Sequence, residues 1–322
     1  FPTRRSSDLE LKTNDAIFIK YGQQRERKVQ TSKTNYISFN FLIEEKINML
    51  PSLRATVEAH GLLAKKALGQ NFLLDRNITG KIIRLSLNAQ NLSDYRGAAV
   101  YEVGPGPGGL TREILRAEPD KLTVVEMDER CIAIMEEIKT KVGERLQIVN
   151  GDALKQNFAE LNQTPRHIVS NLPYNISVPL LVGWLKEIEN FASLTLMFQK
   201  EVADRILAPV GSKDYGRISI LSQLLCKIEK LFDLNPECFV PAPKIWSSVL
   251  LFTPLRSGLS AKDIAGIEKL SALAFGQRRK MIRQSLKSIP GLEKICCELQ
   301  IPLTSRAEQI TPNQFLALAR HL

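Results

Sequence analysis

A chain of 322 residues with 44% apolar and 24% charged side chains has length enough for two domains and an ordinary globular composition. No apolar run approaches the ~20 residues of a membrane-spanning helix. The five cysteines (Cys131, Cys226, Cys238, Cys296, Cys297) and three histidines (His60, His167, His321) lack metal-ligand spacing, which argues against a zinc site or disulfide framework and for a reducing cytoplasm. Net charge is +10, spread as +3 over residues 1–48, +1 over 49–254 and +6 over 255–322, so a basic C-terminal fifth on a nearly neutral body points to a polyanionic partner.

Phe1 to Leu9 resembles the translation of a common sequencing adapter, and residues 10–48 hold no sustained helical or strand period. The expectation is that the natural protein starts at Met49 and that 1–48 is a non-native or disordered leader. Leu50 to Leu63 reads as an amphipathic helix, and Gly69-Gln70-Asn71-Phe72-Leu73 as a polar interruption between helical stretches. From residue 97, strands at Ala98–Val103, Leu122–Glu126, Leu146–Val149, Ile168–Ser170 and Leu194–Phe198 alternate with helices at Leu110–Arg116, Glu129–Val142 and Pro179–Glu189. Such alternation predicts an α/β, Rossmann-like domain over 49–254, with ligands at the carboxyl ends of a mostly parallel sheet. Past Pro254 only helical patterns remain, at Ser260–Gln277, Arg278–Ile289, Leu292–Leu299 and Pro312–Leu322. Thr311 is the N-cap ahead of Pro312. Residues 255–322 are therefore expected to form a small all-helical domain.

The run Glu102-Val103-Gly104-Pro105-Gly106-Pro107-Gly108-Gly109 follows a strand, opens a helix and satisfies Gly-x-Gly-x-x-Gly at 104, 106 and 109. That pattern serves a dinucleotide and equally any ligand lying against a strand end. Glu126, ending the next strand, can accept from two ribose hydroxyls. Asp152, ending the third and flanked by Gly151 and Ala153, can accept from an adenine amine with room for the ring. Each acid alone reads equally well as a helix N-terminal carboxylate. Together they suit S-adenosyl-L-methionine, which carries an adenosine and a sulfonium but no pyrophosphate.

Asn171-Leu172-Pro173-Tyr174 closes the fourth strand. Alone it is a proline turn; beside a methyl donor it offers an amide, carbonyls freed because Pro173 has no N–H, and an aromatic face. Adenine N6 is a poor nucleophile because its lone pair is delocalised. Hydrogen bonds to the Asn171 side-chain oxygen and the Leu172 carbonyl would draw it toward tetrahedral geometry, with Tyr174 and Phe239 sandwiching the base. Phe239 on its own reads as a core aromatic. In the basic stretch Arg278-Arg279-Lys280-Met281-Ile282-Arg283-Gln284-Ser285-Leu286-Lys287, residues Arg279, Arg283 and Lys287 fall on one face of the expected helix while Ile282, Leu286 and Ile289 point inward. A cationic stripe without acids suits phosphate contact.

These segments, with Lys65 to Leu73, Gln199 to Arg205, Tyr215-Gly216-Arg217 and Phe239-Val240-Pro241-Ala242-Pro243-Lys244, together resemble the ribosomal RNA adenine-N6,N6-dimethyltransferase family from about Met49 to the C-terminus. Within that family the resemblance is to the bacterial small-subunit (16S) members. Pro107 departs from the aliphatic residue commoner in the glycine loop, and Ile245-Trp246 from the usual Val-Asp after Pro-x-Pro-Lys. The resemblance implies that Asn71, Leu73, Gly104, Glu126, Asp152 and Asn171 contact the cofactor, and Gln70, Gly106 and Ala153 complete the expected set. It further implies a target of adjacent adenines near the 3′ end of small-subunit RNA in an assembling 30S particle; a monomer is expected. Three rivals stand beside this: an NAD-dependent oxidoreductase, which leaves Asn171–Tyr174 and the basic stretch unexplained, a large-subunit RNA dimethylase, and a non-catalytic RNA-binding factor on the same fold.

Overall fold

The computed structural model describes residues 43–62, 71–158 and 165–321. The chain divides into two compact units, residues 1–50 and 51–322. In the first, residues 43–48 are helical, although the sequence there shows no clear period. The rest of the expected leader, residues 1–42, lies outside the described residues, as does Gln70.

The second unit opens with α1 (Leu53–Ala59), capped by the Ser52 hydroxyl accepting from Ala55 N at 3.2 Å. A two-residue strand β1 (Phe72–Leu73) and helix α2 (Arg76–Ala89) lead into the main sheet. Its seven strands are β2 (Ala99–Val103), β3 (Lys121–Glu126), β4 (Leu146–Asn150), β5 (Arg166–Asn171), β6 (Ser193–Gln199), β7 (Cys226–Leu234) and β9 (Ser247–Pro254), in the order β4-β3-β2-β5-β6-β9-β7. The first five are parallel, and β9 lies antiparallel between β6 and β7. All five residues of β2 are buried, as expected of a parallel strand covered on both faces. The short β8 (Phe239–Val240) pairs with β1, setting Phe239 opposite Leu73.

Crossover helices α3 (Gly109–Arg116) and α4 (Glu129–Val142) agree with the sequence pattern. Helix α5 spans Tyr174–Lys186 and does not wait for Pro179, which sits inside it. A proline there deletes one backbone donor, and the preceding turn is held by Ser177 Oγ donating to the Tyr174 carbonyl at 3.0 Å. Helices α6 (Lys200–Leu207) and α7 (Arg217–Leu225) precede β7.

Beyond β9 come α8 (Ala261–Gly276), α9 (Ile282–Ser285), α10 (Leu292–Glu298) and α11 (Pro312–Ala319). Thr311 Oγ1 accepts from Gln314 N at 3.2 Å, the cap expected ahead of Pro312. The long helix expected over Arg278–Ile289 is absent; only four of its residues are helical. The amides of Ile282 and Arg283 donate instead to the carbonyls of Ser305 and Leu303, Met281 bridges to Arg306, and Pro290 disfavours helix at the residue before it. Ile282, Leu286 and Ile289 are nevertheless buried as the pattern requires. One hydrophobic cluster runs from sheet residues such as Ile168 and Leu196 through Leu270, Phe315 and Leu318 of the C-terminal helices. Tyr215 strengthens that junction: its ring is buried and its hydroxyl donates to the Ile310 carbonyl at 3.0 Å. No helix among the described residues is long and apolar enough to cross a membrane.

Candidate active site

Strand order reverses at β2, whose neighbours β3 and β5 lead away in opposite directions, and the crevice at such a point is where open α/β sheets take ligands. The pairing of β2 with β5 ends at Tyr101 opposite Ile168. Beyond it Ser170 Oγ accepts from Val103 N at 3.0 Å and donates to Val103 O at 2.6 Å. A side chain thus satisfies both backbone groups where the strands part, and the parting opens the site. Sequence reasoning overlooked Ser170; a lone polar residue in a buried run was its only signal.

The loop after β2 turns tightly because Gly104 (φ +68°), Gly106 (φ +54°) and Gly108 (φ +84°) adopt left-handed backbone that side chains disfavour. A Cβ at Gly106 would also stand 2.8 Å from the Phe72 ring, so β1 lies directly over the loop. Two adjoining compartments share Gly104, Glu126 and Pro173. The narrower, about 80 Å³, is walled by Asn71, Leu73, Glu102, Gly106, Asn171, Leu172 and Tyr174 among others; the wider, about 730 Å³, by Met127, Asp152, Ala153 and Ile176 among others.

Both expected carboxylates face the wider compartment. Glu126 Oε1 accepts from the amides of Met127 (2.7 Å) and Asp128 (2.9 Å). Burial raises its pKa while those backbone donors act in the opposite sense. Asp152 caps a 3-10 turn through Oδ1, which accepts from Leu154 N at 3.0 Å. The capping role considered from the sequence is therefore real, and it leaves the second oxygen to a ligand. Met127, 66% exposed, adds an apolar side chain to the wall of this compartment, a residue the sequence reading missed. Its signal was an apolar side chain directly after the acid.

Glu102 is buried deeper, and Thr111 Oγ1 donates to its Oε2 at 2.7 Å. Burial pushes its carboxyl up to about 8, opposed by the Thr111 hydrogen bond and assisted by the neighbouring Glu126 charge.

At the end of β5, Asn171 Nδ2 donates to the Asn71 carbonyl at 3.1 Å. A carbonyl can only accept, so this bond dictates the amide's orientation and leaves Oδ1 as the acceptor for an incoming amine. Tyr174 Oη is held 2.8 Å from Ser247 Oγ. Phe239 does not join Tyr174: paired with β1, it is 2% exposed and absent from the cavity wall, so the expected sandwich reduces in this conformation to Tyr174 alone.

The basic residues separate into two groups. Arg278 is engaged by its own protein, donating to Ser212 O at 3.2 Å, lying 3.9 Å from a Glu308 oxygen and packing over the Phe275 ring. Arg279, Lys280, Arg283 and Lys287 are exposed and form no ion pair among the described residues. They issue from a turn, a short helix and a second turn, not from one helical stripe.

A cradle that a Cβ would fill and two carboxylates flanking an apolar slot fit an adenosine bearing a sulfonium. Two solved structures share the fold: a dimethyladenosine transferase from Plasmodium falciparum (TM-score 0.64, 26% identity, 76% of this chain and 94% of that one) and the 23S rRNA methyltransferase ErmE (TM-score 0.57, 25% identity, 78% and 99%). Fold and site together define an S-adenosylmethionine-dependent methyltransferase. Residues 61–322 match the family model described as ribosomal RNA adenine dimethylase, and the chain belongs to that family. The ribosomal RNA small subunit methyltransferase A of Rhodospirillum rubrum is 44% identical over 271 residues, 84% of this chain and 92% of the relative.

Proposed function

We propose that this chain transfers methyl groups from S-adenosyl-L-methionine to N6 of two adjacent adenosines near the 3′ end of small-subunit (16S) ribosomal RNA, giving N6,N6-dimethyladenosine during ribosome assembly. The observation that carries this reading is the Asn171 amide, turned by the Asn71 carbonyl so that its oxygen is left to accept a hydrogen bond in the wall of the narrower compartment. The similarity to the Rhodospirillum rubrum relative supports the small subunit as target; 25% identity to the 23S enzyme supports the large one less.

When bound, the cofactor supplies an electrophilic methyl group on its sulfonium. Glu126 and Asp152 would hold its ribose and adenine, Met127 and Ala153 its ring faces, and Asn71, Leu73, Gly104 and Gly106 its remaining length. Asn171 Oδ1 and the Leu172 carbonyl accept from the target amine and orient its lone pair, so geometry supplies most of the rate. Tyr174 offers its face to the base, favouring the positive charge that develops there. The proton leaves N6 only after the nitrogen has become cationic, so no strong base is required. Residues 49–254 would do the chemistry. Residues 255–322 would grip phosphates through Arg279, Lys280, Arg283 and Lys287, with Arg278 bracing them, while 1–48 would be dispensable. The protein would work as a monomer in the cytoplasm.

Tritiated methyl transfer to purified small and large subunits, with mapping of the modified base, tests the proposal. Label confined to paired adenines of the small subunit is expected; label in large-subunit RNA would overturn it.

A further inference from the structure

Most large apolar side chains are buried, but Ile245 (38% exposed) and Trp246 (48%) stand together in solvent just before β9. Neither lines the two compartments. Because β9 runs antiparallel to β6, its first residue, Ser247, lies opposite Gln199 at the carboxyl edge of the sheet, where the crevice opens. Ser247 is the residue that holds the Tyr174 hydroxyl, so Trp246 sits about 3.8 Å of backbone from the anchor of the catalytic aromatic. Its own backbone is tied down, with Lys200 N donating to its carbonyl at 2.8 Å. Lys244, two residues earlier, is exposed and forms no ion pair among the described residues.

A polymer substrate gives this ledge an occupant. When one adenine is drawn into the crevice, the nucleotides on either side of it must cross the rim. An exposed indole with a free cation beside it presents a stacking face and a phosphate partner together, the pairing by which unpaired nucleotides are held. We propose that Trp246 is a stacking platform for an unpaired nucleotide flanking the target adenosine, with Lys244 meeting its phosphate. The proposal rests on RNA being the substrate of the neighbouring site.

The chain has two tryptophans, and the other, Trp184, is buried in the core. The emission difference between wild type and Trp246→Ala therefore isolates Trp246. Titration with deproteinised small-subunit RNA and with intact small subunits should quench that difference signal in both cases. Trp246→Ala should raise KM for small subunits by on the order of 10-fold, a change exceeding any fall in kcat, and Trp246→Phe should recover most of it. Wild type that methylates small subunits without quenching, or Trp246→Ala with unchanged KM, overturns the platform alone. A response to intact subunits but not to bare RNA would assign Trp246 to a ribosomal protein and likewise overturn it. Quenching by RNA in a chain that methylates nothing would sink the proposed function and, with it, a platform defined by its place beside a target adenosine.

Discussion

Gly109 tests how the site is held together, because it touches no catalytic atom. A methyl group there would stand 2.5 Å from the Leu73 carbonyl oxygen and 3.2 Å from Leu53 Cδ1. Its backbone φ is not positive, so the effect of Gly109→Ala is contact alone. The obstructing atom is backbone and cannot rotate away; β1 must recede by about 1 Å before the contact becomes ordinary. Overpacking of this kind costs about 1–3 kcal/mol. At about 2–4 °C per kcal/mol for a unit of this size, the melting temperature should fall by roughly 2–12 °C. Asn71 moves with β1, and its carbonyl is already 3.1 Å from Asn171 Nδ2, so the shift releases the amide that orients the target amine. Misplacement by about 1 Å is worth on the order of 10²-fold in rate, and kcat for methyl transfer should drop by that factor with the protein still folded. Gly183→Ala is the control. It lies in α5 with nothing within 4 Å of a Cβ, and should gain up to about 1 kcal/mol with turnover intact. Wild-type turnover in folded Gly109→Ala would refute the claim that β1 sets Asn171.

Asn171→Ala should lower turnover by on the order of 10²-fold or more with the protein still folded, though about 1 kcal/mol less stable for want of the bond to Asn71, and near-normal single-turnover rates would remove Asn171 from its role. Tyr174→Phe deletes one bond to Ser247 and should cost about 1 kcal/mol in thermal unfolding with little loss of activity, whereas Tyr174→Ala should be severe in kcat. Replacing Arg279, Arg283 and Lys287 together by Gln should weaken RNA binding and flatten its log-log salt dependence by roughly 2–3; an unchanged slope counts against phosphate contact. Burial lowers the His167 pKa to about 4, so the folded protein resists the proton that the unfolded chain takes up below 6.5. Stability should therefore decline from pH 6.5 to 4 by at most about 1.4 kcal/mol per pH unit from this group, and denaturant melts of His167→Gln should show the shallower slope.

The motifs that follow each strand were legible without coordinates because local rules place them: an apolar run, a turn, then a helix start. Gly104–Gly109, Glu126, Asp152 and Asn171 all stand at the carboxyl edge for that reason. Helix α4 and the Thr311 cap were legible likewise, since periodicity and capping act within a few residues. The failures share a cause. The helix expected at Arg278–Ile289 yields to hydrogen bonds from residues 303–306, about twenty positions away. Phe239 is held against β1, far off in the chain, and does not line the crevice.

Sequence by itself thus determined which residues close or follow each strand, among them Glu126, Asp152 and the tetrapeptide Asn171-Leu172-Pro173-Tyr174, all of which depend on short-range pattern. Only the tertiary structure decided which way the Asn171 amide turns, which aromatic faces the crevice and which cations are spent on the protein. Those choices depend on partners brought together by the fold, Asn71 for Asn171, Ser247 for Tyr174 and the Ser212 carbonyl for Arg278, and a hydrogen bond between residues so far apart leaves no period to read.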